Sequence, residues 1–519
     1  MRLAALLTLV SCAKPPAVAP SAPAPTGARL VVLVVVDQLP EWAFAAKRPA
    51  LHGGFERLLA DGEWHVGRHP SAATLTAPGH ALLGTGEPPS RSGILANLWW
   101  HRDLRRELNA TEDENGRVST KWLRVPGLGD AVAAAGRGAK AVAVALKERS
   151  ALLPLGHAGL AIWYDAHGAP WTTLAAPPAW LVAWNRAHPA SEHAHDVWTP
   201  LDAAELARLS GVPDDAPGEI GEHGFGTTFP HDLGATKDPA GAVNATPIGN
   251  DLVIDTAVAA IDGEQLGRRD TPDLLVISLS AHDIIAHGWG HESWEAWDAM
   301  LRLDARLARF VDELDAKIGA DRWAMIVTSD HGASPMPERV NGGRLRFSEL
   351  QRAANHAASA VLGPGEWIDN AHYPNVYFSP AMLAQPAGEL ESATKRVIAA
   401  LRAFPGIERV DRVAAFAGHC ETRTGVAFRL CLTFDPERSG ELFSLPAEGW
   451  ILQDDSEPLA TAHGSMQDYD LLVPVILLPP GRTRHAAASA PEAGEIDMVR
   501  IATILSRWLG VAAPVTLRR

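Results

Sequence analysis

Five runs of apolar, largely β-branched residues constrain the fold of this chain more than any other feature. The first, Leu30–Val36, contains only leucine and valine and ends abruptly at Asp37. That pattern is typical of a strand buried on both faces. The other runs are Ala139–Leu146, Asp273–Ser280, Trp323–Ser329 and Leu471–Leu478. Strands of this kind, separated by helical segments, predict an α/β fold with a mostly parallel sheet and helices on both of its faces.

Helical periodicity separates these strands. It is clearest in Trp294–Ile318, where apolar residues recur on one face, and weaker in Asn250–Ile261. We also expect helices near Phe55–Ala60 and Leu128–Ala135 and a closing helix over Ile496–Leu509. A chain of 519 residues is long enough for one large domain with insertions. We predict a catalytic domain over residues 29–512, with cap insertions at about 101–125, 165–245 and 346–455.

The first 28 residues have the pattern of an export signal followed by a tether. Met1–Cys12 combines a short basic start with a compact apolar core and small residues before the cysteine. This ending resembles the lipobox of bacterial lipoproteins, in which the cysteine carries the lipid. A plain signal peptide is the alternative, but the Pro/Ala-rich residues 13–28 favour a lipid-anchored domain held clear of a membrane. We therefore expect a bacterial lipoprotein in the periplasm or at the cell surface.

The charge balance excludes several partners. The chain has 46 basic and 61 acidic residues, a formal net charge of −15. A surplus of acid argues against a nucleic-acid-binding face and against a polybasic membrane patch. No internal apolar run is long enough to span a bilayer. Membrane attachment is therefore expected through the lipid on Cys12 only.

Two further cysteines, Cys420 and Cys431, lie on either side of Gly425. In an exported protein this arrangement suggests a disulfide that closes a hairpin. Two buried thiols are the alternative, and neither interpretation gives the cysteines a catalytic role.

Candidate metal ligands follow several of the predicted strands. Asp37 ends the first strand, Asp283 follows the third, and the pair Asp330-His331 ends the fourth. His287 comes one helical turn after Asp283, and His463 precedes the last strand. Each residue alone would be a helix cap or a packed side chain, but together they gather where the sites of parallel sheets form. Aspartate with neutral histidine suits zinc better than magnesium or calcium, and the set is large enough for two metals.

A hydroxyl-bearing stretch, Ser71–His80, precedes a predicted helix. Thr74 and Thr76 both lie near the start of that helix, whose positive end suits chemistry on an anion. The residues alone do not distinguish the two threonines, and serine and threonine are also ordinary capping residues.

Taken together, these motifs resemble the alkaline phosphatase superfamily, and within it the periplasmic zinc alkaline phosphatases with a threonine nucleophile, the PafA-like branch. The resemblance covers about residues 28–512 and keeps the order of the family's motifs. The matching segments are Val34–Gln38, Thr76–His80, Gly93–Asn97, Leu146–Arg149, Leu153–His157, Phe229–His231, Gly249–Leu252, Ser280–His287, Thr328–Ala333 and Ala462–Ser465.

The resemblance implies a role for each matching residue. Thr76 corresponds to the nucleophile, and its oxygen would bind one zinc together with Asp37, Asp330 and His331. Asp283, His287 and His463 correspond to the ligands of a second zinc. The groups that would hold the phosphate oxygens are Asn97, Lys147 and Arg149.

The implied activity is hydrolysis of small-molecule phosphate monoesters through a phosphothreonine, with two Zn²⁺ per chain. On an extended strand end Lys147 and Arg149 would face the same way, and two cations favour a monoester dianion. The first alternative is a phosphodiesterase or nucleotide pyrophosphatase of the same superfamily. A sulfatase is disfavoured because Thr76–His80 lacks the cysteine or serine that becomes formylglycine. A non-catalytic surface lipoprotein is the alternative from another class.

Overall fold

A nine-stranded sheet forms the centre of the protein in this computed structural model, which describes residues 27–482 and 487–514. The predicted signal, its tether up to residue 26 and Cys12 lie outside the described residues. From one edge, the strands are Glu495–Asp497, Glu63–Arg68, Leu472–Leu478, Trp323–Thr328, Leu30–Val36, Asp273–Leu279, Ala141–Ala145, Leu160–Tyr164 and Trp171–Thr172.

The sheet is mixed but mostly parallel, which confirms the predicted fold class. Leu30–Val36 pairs in parallel with Asp273–Leu279 on one side and with Trp323–Thr328 on the other. Leu472–Leu478 is antiparallel to both of its neighbours. Successive residues of Leu30–Val36 alternate between two hydrophobic cores, one on each face of the sheet, because side chains of a strand alternate in direction. Ala28 is already buried in one of these cores.

Helices cover both faces and fill the connections. Trp294–Lys317 presents the apolar face predicted from its periodicity, with Met300 and Phe310 fully buried. The other α-helices are Glu41–Lys47, Gly54–Asp61, Thr76–Thr85, Pro89–Ser92, Leu128–Ala134, Glu148–Leu155, Ala179–Ala187, Ala203–Ser210, Pro239–Ala242, Pro247–Gly263, Ala281–Trp289, Phe347–Leu362, Pro380–Leu383, Ala387–Arg402, Gly425–Thr433, Asp468–Leu471 and Arg500–Leu509. Short 3₁₀ turns occupy Arg48–Ala50, Ala190–His193, Leu233–Ala235, Val243–Ala245, Pro337–Arg339, Val413–Ala415 and Cys420–Thr422.

Smaller sheets lie outside the central one. A four-stranded antiparallel sheet consists of Ile368–His372, Asn375–Phe378, Leu442–Pro446 and Ile407–Arg412. Three two-stranded pairs are Leu98–His101 with Arg106–Asn109, Val197–Trp198 with His231–Asp232, and Gly343–Arg346 with Trp450–Gln453. The first of these pairs is a hairpin that reaches into the predicted insertion at about 101–125.

Three local predictions differ from the structure. Cys420 and Cys431 form the expected disulfide, but it joins a 3₁₀ turn to a helix and closes no hairpin. The closing helix begins at Arg500 because Glu495–Asp497 pairs with the sheet as an edge strand. Glu63–Arg68 also joins the sheet, although its mixed polar and apolar residues gave no strand signal.

None of the helices among the described residues combines the length and apolar character that crossing a membrane requires.

Candidate active site

The polar residues predicted at strand ends meet at one edge of the central sheet. Asp37 and the pair Asp330-His331 follow two neighbouring parallel strands, so the backbone itself brings them together. Asp283 and His287 lie one turn apart on the helix Ala281–Trp289, directly after the third strand. The helical turn predicted for these two residues is therefore confirmed.

Asp37, Asp330 and His331 form the first of two groups whose ligand atoms all lie within 4.8 Å of one another. His331 Nε2 lies 3.6 Å from Asp37 Oδ1 and 3.5 Å from Asp330 Oδ2. All three residues are fully buried. Asp37 Oδ1 has no hydrogen-bond partner among the described residues, whereas Asp330 Oδ2 lies 3.0 Å from His80 Nδ1. Buried carboxylate oxygens without a donor are costly unless a cation is bound.

The second group gathers around Asp283. Its Oδ1 lies 3.2 Å from His287 Nε2 and 3.7 Å from His463 Nε2. Asp283, His331 and His463 also satisfy the 4.8 Å criterion, so His331 lies between the two groups. The His331 and His463 rings are stacked, with 3.8 Å between their centroids. The folded chain thus brings two adjoining groups of candidate ligands together, and by this criterion His331, not His287, completes the second group.

All three histidines point the same ring nitrogen toward the carboxylates. Nδ1 of His331 donates to the Gly332 carbonyl at 2.9 Å. Nδ1 of His287 and of His463 likewise donate to backbone carbonyls, at 2.9 Å and 2.8 Å. A proton held on Nδ1 leaves the Nε2 lone pair free in the neutral imidazole. Carbonyl partners on the far nitrogen are the usual way of orienting histidines that bind metals.

The electrostatics keep most of these groups in a form that can bind a metal. Burial lowers the pKa of His331 to about 4 and that of His463 well below its usual value, so both rings are neutral. Burial and the neighbouring Asp330 carboxylate raise the pKa of Asp37. Burial also acts to raise the pKa of Asp283, but Lys147 and His287 overcome it and hold that pKa well below its usual value. Burial opposes protonation of His287, yet the Asp283 carboxylate raises its pKa.

Thr76 is the first residue of the helix Thr76–Thr85 and faces the first group. Its Oγ1 lies 3.4 Å from His331 Nε2. Thr74, by contrast, donates its hydroxyl to the Ser465 carbonyl at 3.1 Å, so only Thr76 presents its hydroxyl to the ligands. The helix can approach this closely because Gly79 has no side chain. A Cβ atom at that position would collide with the Asp330 carbonyl oxygen.

Asn97 lies beside the start of the same helix. Its Oδ1 accepts a hydrogen bond from the Ala77 backbone N–H at 2.8 Å, one of the donors that a helix start leaves unpaired. Asn97 also lines the cavity described below. Because Oδ1 is already bonded, the Nδ2 amide group is the donor that Asn97 can offer to a ligand there.

Lys147 and Arg149 both line the same cavity, but not from an extended strand as predicted. Lys147 precedes the helix Glu148–Leu155, and Arg149 lies in its first turn. Lys147 Nζ contacts Asp37 Oδ2 at 2.9 Å and Asp283 Oδ2 at 2.5 Å, and therefore bridges the two ligand groups. The Arg149 side chain is 22% exposed, and its Nε has no hydrogen-bond partner among the described residues.

Gln38 is a further residue of the site. It ends the motif Val34–Gln38, and its sequence position predicted no role for it. Its Nε2 lies 2.6 Å from Asp283 Oδ1 and 3.0 Å from His287 Nε2. Its backbone N–H donates to Asp330 Oδ1 at 3.2 Å, so Gln38 contacts both ligand groups. It adopts a φ of 59°, which is unusual for a residue with a side chain. The sequence signal that could have indicated a role for Gln38 is its position directly after the candidate ligand Asp37.

A cavity of about 560 Å³ opens above these residues. Its lining includes the candidate site residues Thr76, Asn97, Lys147, Arg149, Asp283, His287 and His463. It also includes Phe347, His372 and Leu452, and the acidic side chains Glu222, Asp454 and Glu457. The volume suits a small molecule, and convergent polar groups at the base of a cavity are typical of ligand sites.

The donor set fits zinc. It combines buried carboxylates with the neutral imidazoles of His331 and His463, and it leaves Asp37 Oδ1 without a protein donor. Magnesium and calcium prefer shells of oxygen alone, which three histidines do not provide.

Comparison with known proteins places this geometry in a family. The sequence model described as "Type I phosphodiesterase / nucleotide pyrophosphatase" matches residues 31–470. Alkaline phosphatase PhoK of Sphingomonas sp. is 30% identical over 486 residues, which cover 87% of this chain and 84% of the relative. Alkaline phosphatase PafA of Elizabethkingia meningoseptica is 27% identical over 480 residues, covering 87% and 86%.

A solved structure agrees with these matches. The crystal structure of wild-type alkaline phosphatase PafA superposes with a TM-score of 0.83 at 25% identity, covering 96% of this chain and 97% of that one. Both the fold and the sequence are therefore shared over nearly the whole length. This chain belongs to the type I phosphodiesterase/nucleotide pyrophosphatase family and, within the alkaline phosphatase superfamily, to the PafA-like proteins.

Proposed function

We propose that this protein is a dizinc alkaline phosphatase that hydrolyses phosphate monoesters through a phosphothreonine at Thr76. Family membership makes the chain a phosphatase, a hydrolase of phosphate esters. The observation that carries the finer proposal is the position of the Thr76 hydroxyl, 3.4 Å from His331 Nε2 and at the edge of two adjoining groups of buried metal ligands.

Six residues would hold the metals. Asp37, Asp330 and His331 would bind the first zinc beside Thr76, and Asp283, His287 and His463 the second. Zinc supplies Lewis acidity that lowers the pKa of a bound hydroxyl group and neutralises charge on phosphate oxygens. In this proposal the metal, and not a general base, activates the hydroxyl, because the carboxylates of the group that Thr76 faces are assigned as metal ligands. The nearest imidazole, His331, has its pKa lowered to about 4 by burial and offers its lone pair as a ligand.

Thr76 would attack phosphorus while the ester oxygen departs on the opposite side. A bond forms between Oγ1 and phosphorus, the bond to the leaving oxygen breaks, and the departing alcohol gains a proton. Water then cleaves the phosphothreonine and releases inorganic phosphate, which restores the hydroxyl. The helix start positions Oγ1 for both steps and adds its positive end to the attraction for the phosphoryl group.

Three other side chains would hold the equatorial oxygens. Asn97 offers its amide donor, Lys147 a point charge and Arg149 a planar fork of donors. Their fixed positions matter because catalysis of phosphoryl transfer depends on positioning and on stabilising charge. Two cations favour a monoester dianion over a diester, which carries one charge fewer and needs room for a second substituent.

We further propose that the protein is exported and lipid-anchored. This rests on the sequence of residues 1–12, with its cysteine at the end of an apolar core, and on the Pro/Ala-rich residues that follow. Growth of cells in labelled fatty acid, with a Cys12→Ser variant as control, tests it. Loss of the label in the variant is expected, and label in both forms would contradict the proposal.

Kinetics and metal content measured on one sample test the main proposal. We expect about two zinc ions per chain and much faster turnover of an aryl phosphate than of its diaryl diester. Thr76→Ala should stay folded, keep its zinc and lose phosphate release. A preference for the diester would favour a phosphodiesterase, and full activity of Thr76→Ala would exclude Thr76 as the nucleophile.

A further inference from the structure

The lining of the active-site cavity carries charges of both signs. Among the described residues that line it, Lys147 and Arg149 are the only lysine and arginine, and Lys147 contacts carboxylates of both ligand groups. The acids outside the metal groups are Glu222, Asp454 and Glu457. A phosphate held by the cations would leave its alcohol part to the rest of the lining, which carries these acids.

Two strands that pair in register lead into part of this lining. Gly343–Arg346 pairs in parallel with Trp450–Gln453, and Arg346 is opposite Gln453. Phe347 and Asp454 directly follow this pair, so the chain brings an aromatic ring and a carboxylate to one rim. The arrangement depends on backbone pairing, and it is therefore a fixed feature of the cavity.

His372 supports the same rim. Its ring packs on Phe347 with 4.3 Å between the centroids. Its Nε2 lies 3.9 Å from Asp454 Oδ2, and its Nδ1 lies 3.9 Å from Glu107 Oε1. The neighbouring His372 ring lowers the pKa of Asp454, whose side chain is 47% exposed, so the carboxylate is ionised at neutral and alkaline pH. Glu457 is exposed nearby on the same loop.

We propose that this rim, formed by Phe347, His372, Leu452, Asp454 and Glu457, is a leaving-group subsite for a positively charged amine. The favoured substrates would be phosphate monoesters of amino alcohols. The two carboxylates would attract an ammonium group electrostatically, and the aromatic face of Phe347 would add a cation–π interaction. A leaving group with a second negative charge is repelled by the same residues. The inference rests on the proposed phosphatase function and adds its substrate class.

Two esters of the same shape test the subsite. Choline phosphate carries a trimethylammonium group, and 3,3-dimethylbutyl phosphate carries an uncharged tert-butyl group in the same place. Because the two alcohols differ in leaving ability, the informative quantity is the change in their kcat/KM ratio when the rim is altered. At low ionic strength we expect the double variant Asp454→Asn, Glu457→Gln to lower the choline-to-dimethylbutyl ratio by about three- to tenfold.

Asp455→Asn is the matched control. Asp455 is exposed on the same loop but does not line the cavity, and its Oδ1 lies 3.8 Å from Arg346 Nε. This variant should leave the ratio unchanged. An unchanged ratio in the double variant, or an equal fall in the control, overturns the proposal. If the enzyme releases phosphate from both esters but the kcat/KM ratio does not change in the double variant, only the subsite is refuted. If the enzyme releases phosphate from neither ester, the phosphatase function is refuted as well.

Discussion

Removal of the Lys147 and Arg149 charges should reduce monoester hydrolysis far more than diester hydrolysis. Lys147 Nζ lies within 2.9 Å of carboxylates from both ligand groups, and its side chain is only 12% exposed. Arg149 lines the same cavity with an Nε that has no partner among the described residues. Both cations are therefore placed, and largely desolvated, where a phosphate dianion would bind.

A hydrogen bond to a charged group contributes about 1.5–3 kcal/mol, which corresponds to roughly 10- to 150-fold in rate. We expect each variant, Lys147→Ala or Arg149→Ala, to lower kcat/KM for p-nitrophenyl phosphate by a factor in that range. For bis-p-nitrophenyl phosphate, with one charge fewer, the loss in activation free energy should be about half as large. The two residues are close, so the effects in the double variant need not add.

The assay is the ratio of the two kcat/KM values in each variant. Lys140→Ala is the control, because Lys140 binds Glu264 at 2.5 Å and lies outside the cavity. It should leave both activities unchanged. If monoester and diester activities fall by the same factor in Lys147→Ala and Arg149→Ala, the pair does not select for the dianion, and the reasoning is refuted.

Three further predictions concern metal, stability and pH. Chelation should abolish activity and lower Tm, and zinc rather than magnesium should restore both; activity that survives chelation would exclude a metal mechanism. Replacing Cys420 and Cys431 by serine should cost about 2–3 kcal/mol of stability through loop closure while kcat/KM stays within about twofold, and an unchanged free energy of unfolding would contradict this. Burial raises the pKa of Glu295 from 4.5 to about 10, so its stabilising contribution is complete below about pH 4.5 and is lost as pH rises toward 10. Glu295→Gln should therefore gain stability relative to the wild type as pH rises through this range, by at most about 1.4 kcal/mol for each pH unit; a difference in Tm that does not vary with pH would contradict this.

The sequence predicted the parts of the fold that depend on strong local signals. Leu30–Val36 has the bounds predicted for it, because a continuous β-branched run between polar residues leaves few alternatives. Glu63–Arg68 was missed because its residues alternate irregularly and its pairing partners lie hundreds of residues away. The predicted hairpin at Cys420 was wrong because a disulfide constrains distance and does not specify whether the chain between its ends is helical.

The candidate site was partly predictable for the same reason. Parallel strands deliver their carboxyl ends to one edge, so Asp37 and Asp330 could be expected to meet there. No role for Gln38 could be predicted, because its contact with Asp283 depends on an unusual φ angle. No pattern of residues in the sequence indicates that angle. The rim formed by Phe347 and Asp454 was also beyond sequence reasoning, since it follows from the register of two strands more than a hundred residues apart.

Trapping the covalent intermediate tests the central claim most directly. The enzyme is mixed with excess p-nitrophenyl phosphate, quenched in acid, digested and analysed by peptide mass spectrometry. We predict a single phosphoryl group on the peptide that contains Thr76, localised to that residue and absent from the Thr76→Ala protein. A phosphoryl group on another residue would contradict the proposed mechanism. So would the failure to trap any phosphopeptide from active enzyme if Thr76→Ala also still hydrolyses the substrate.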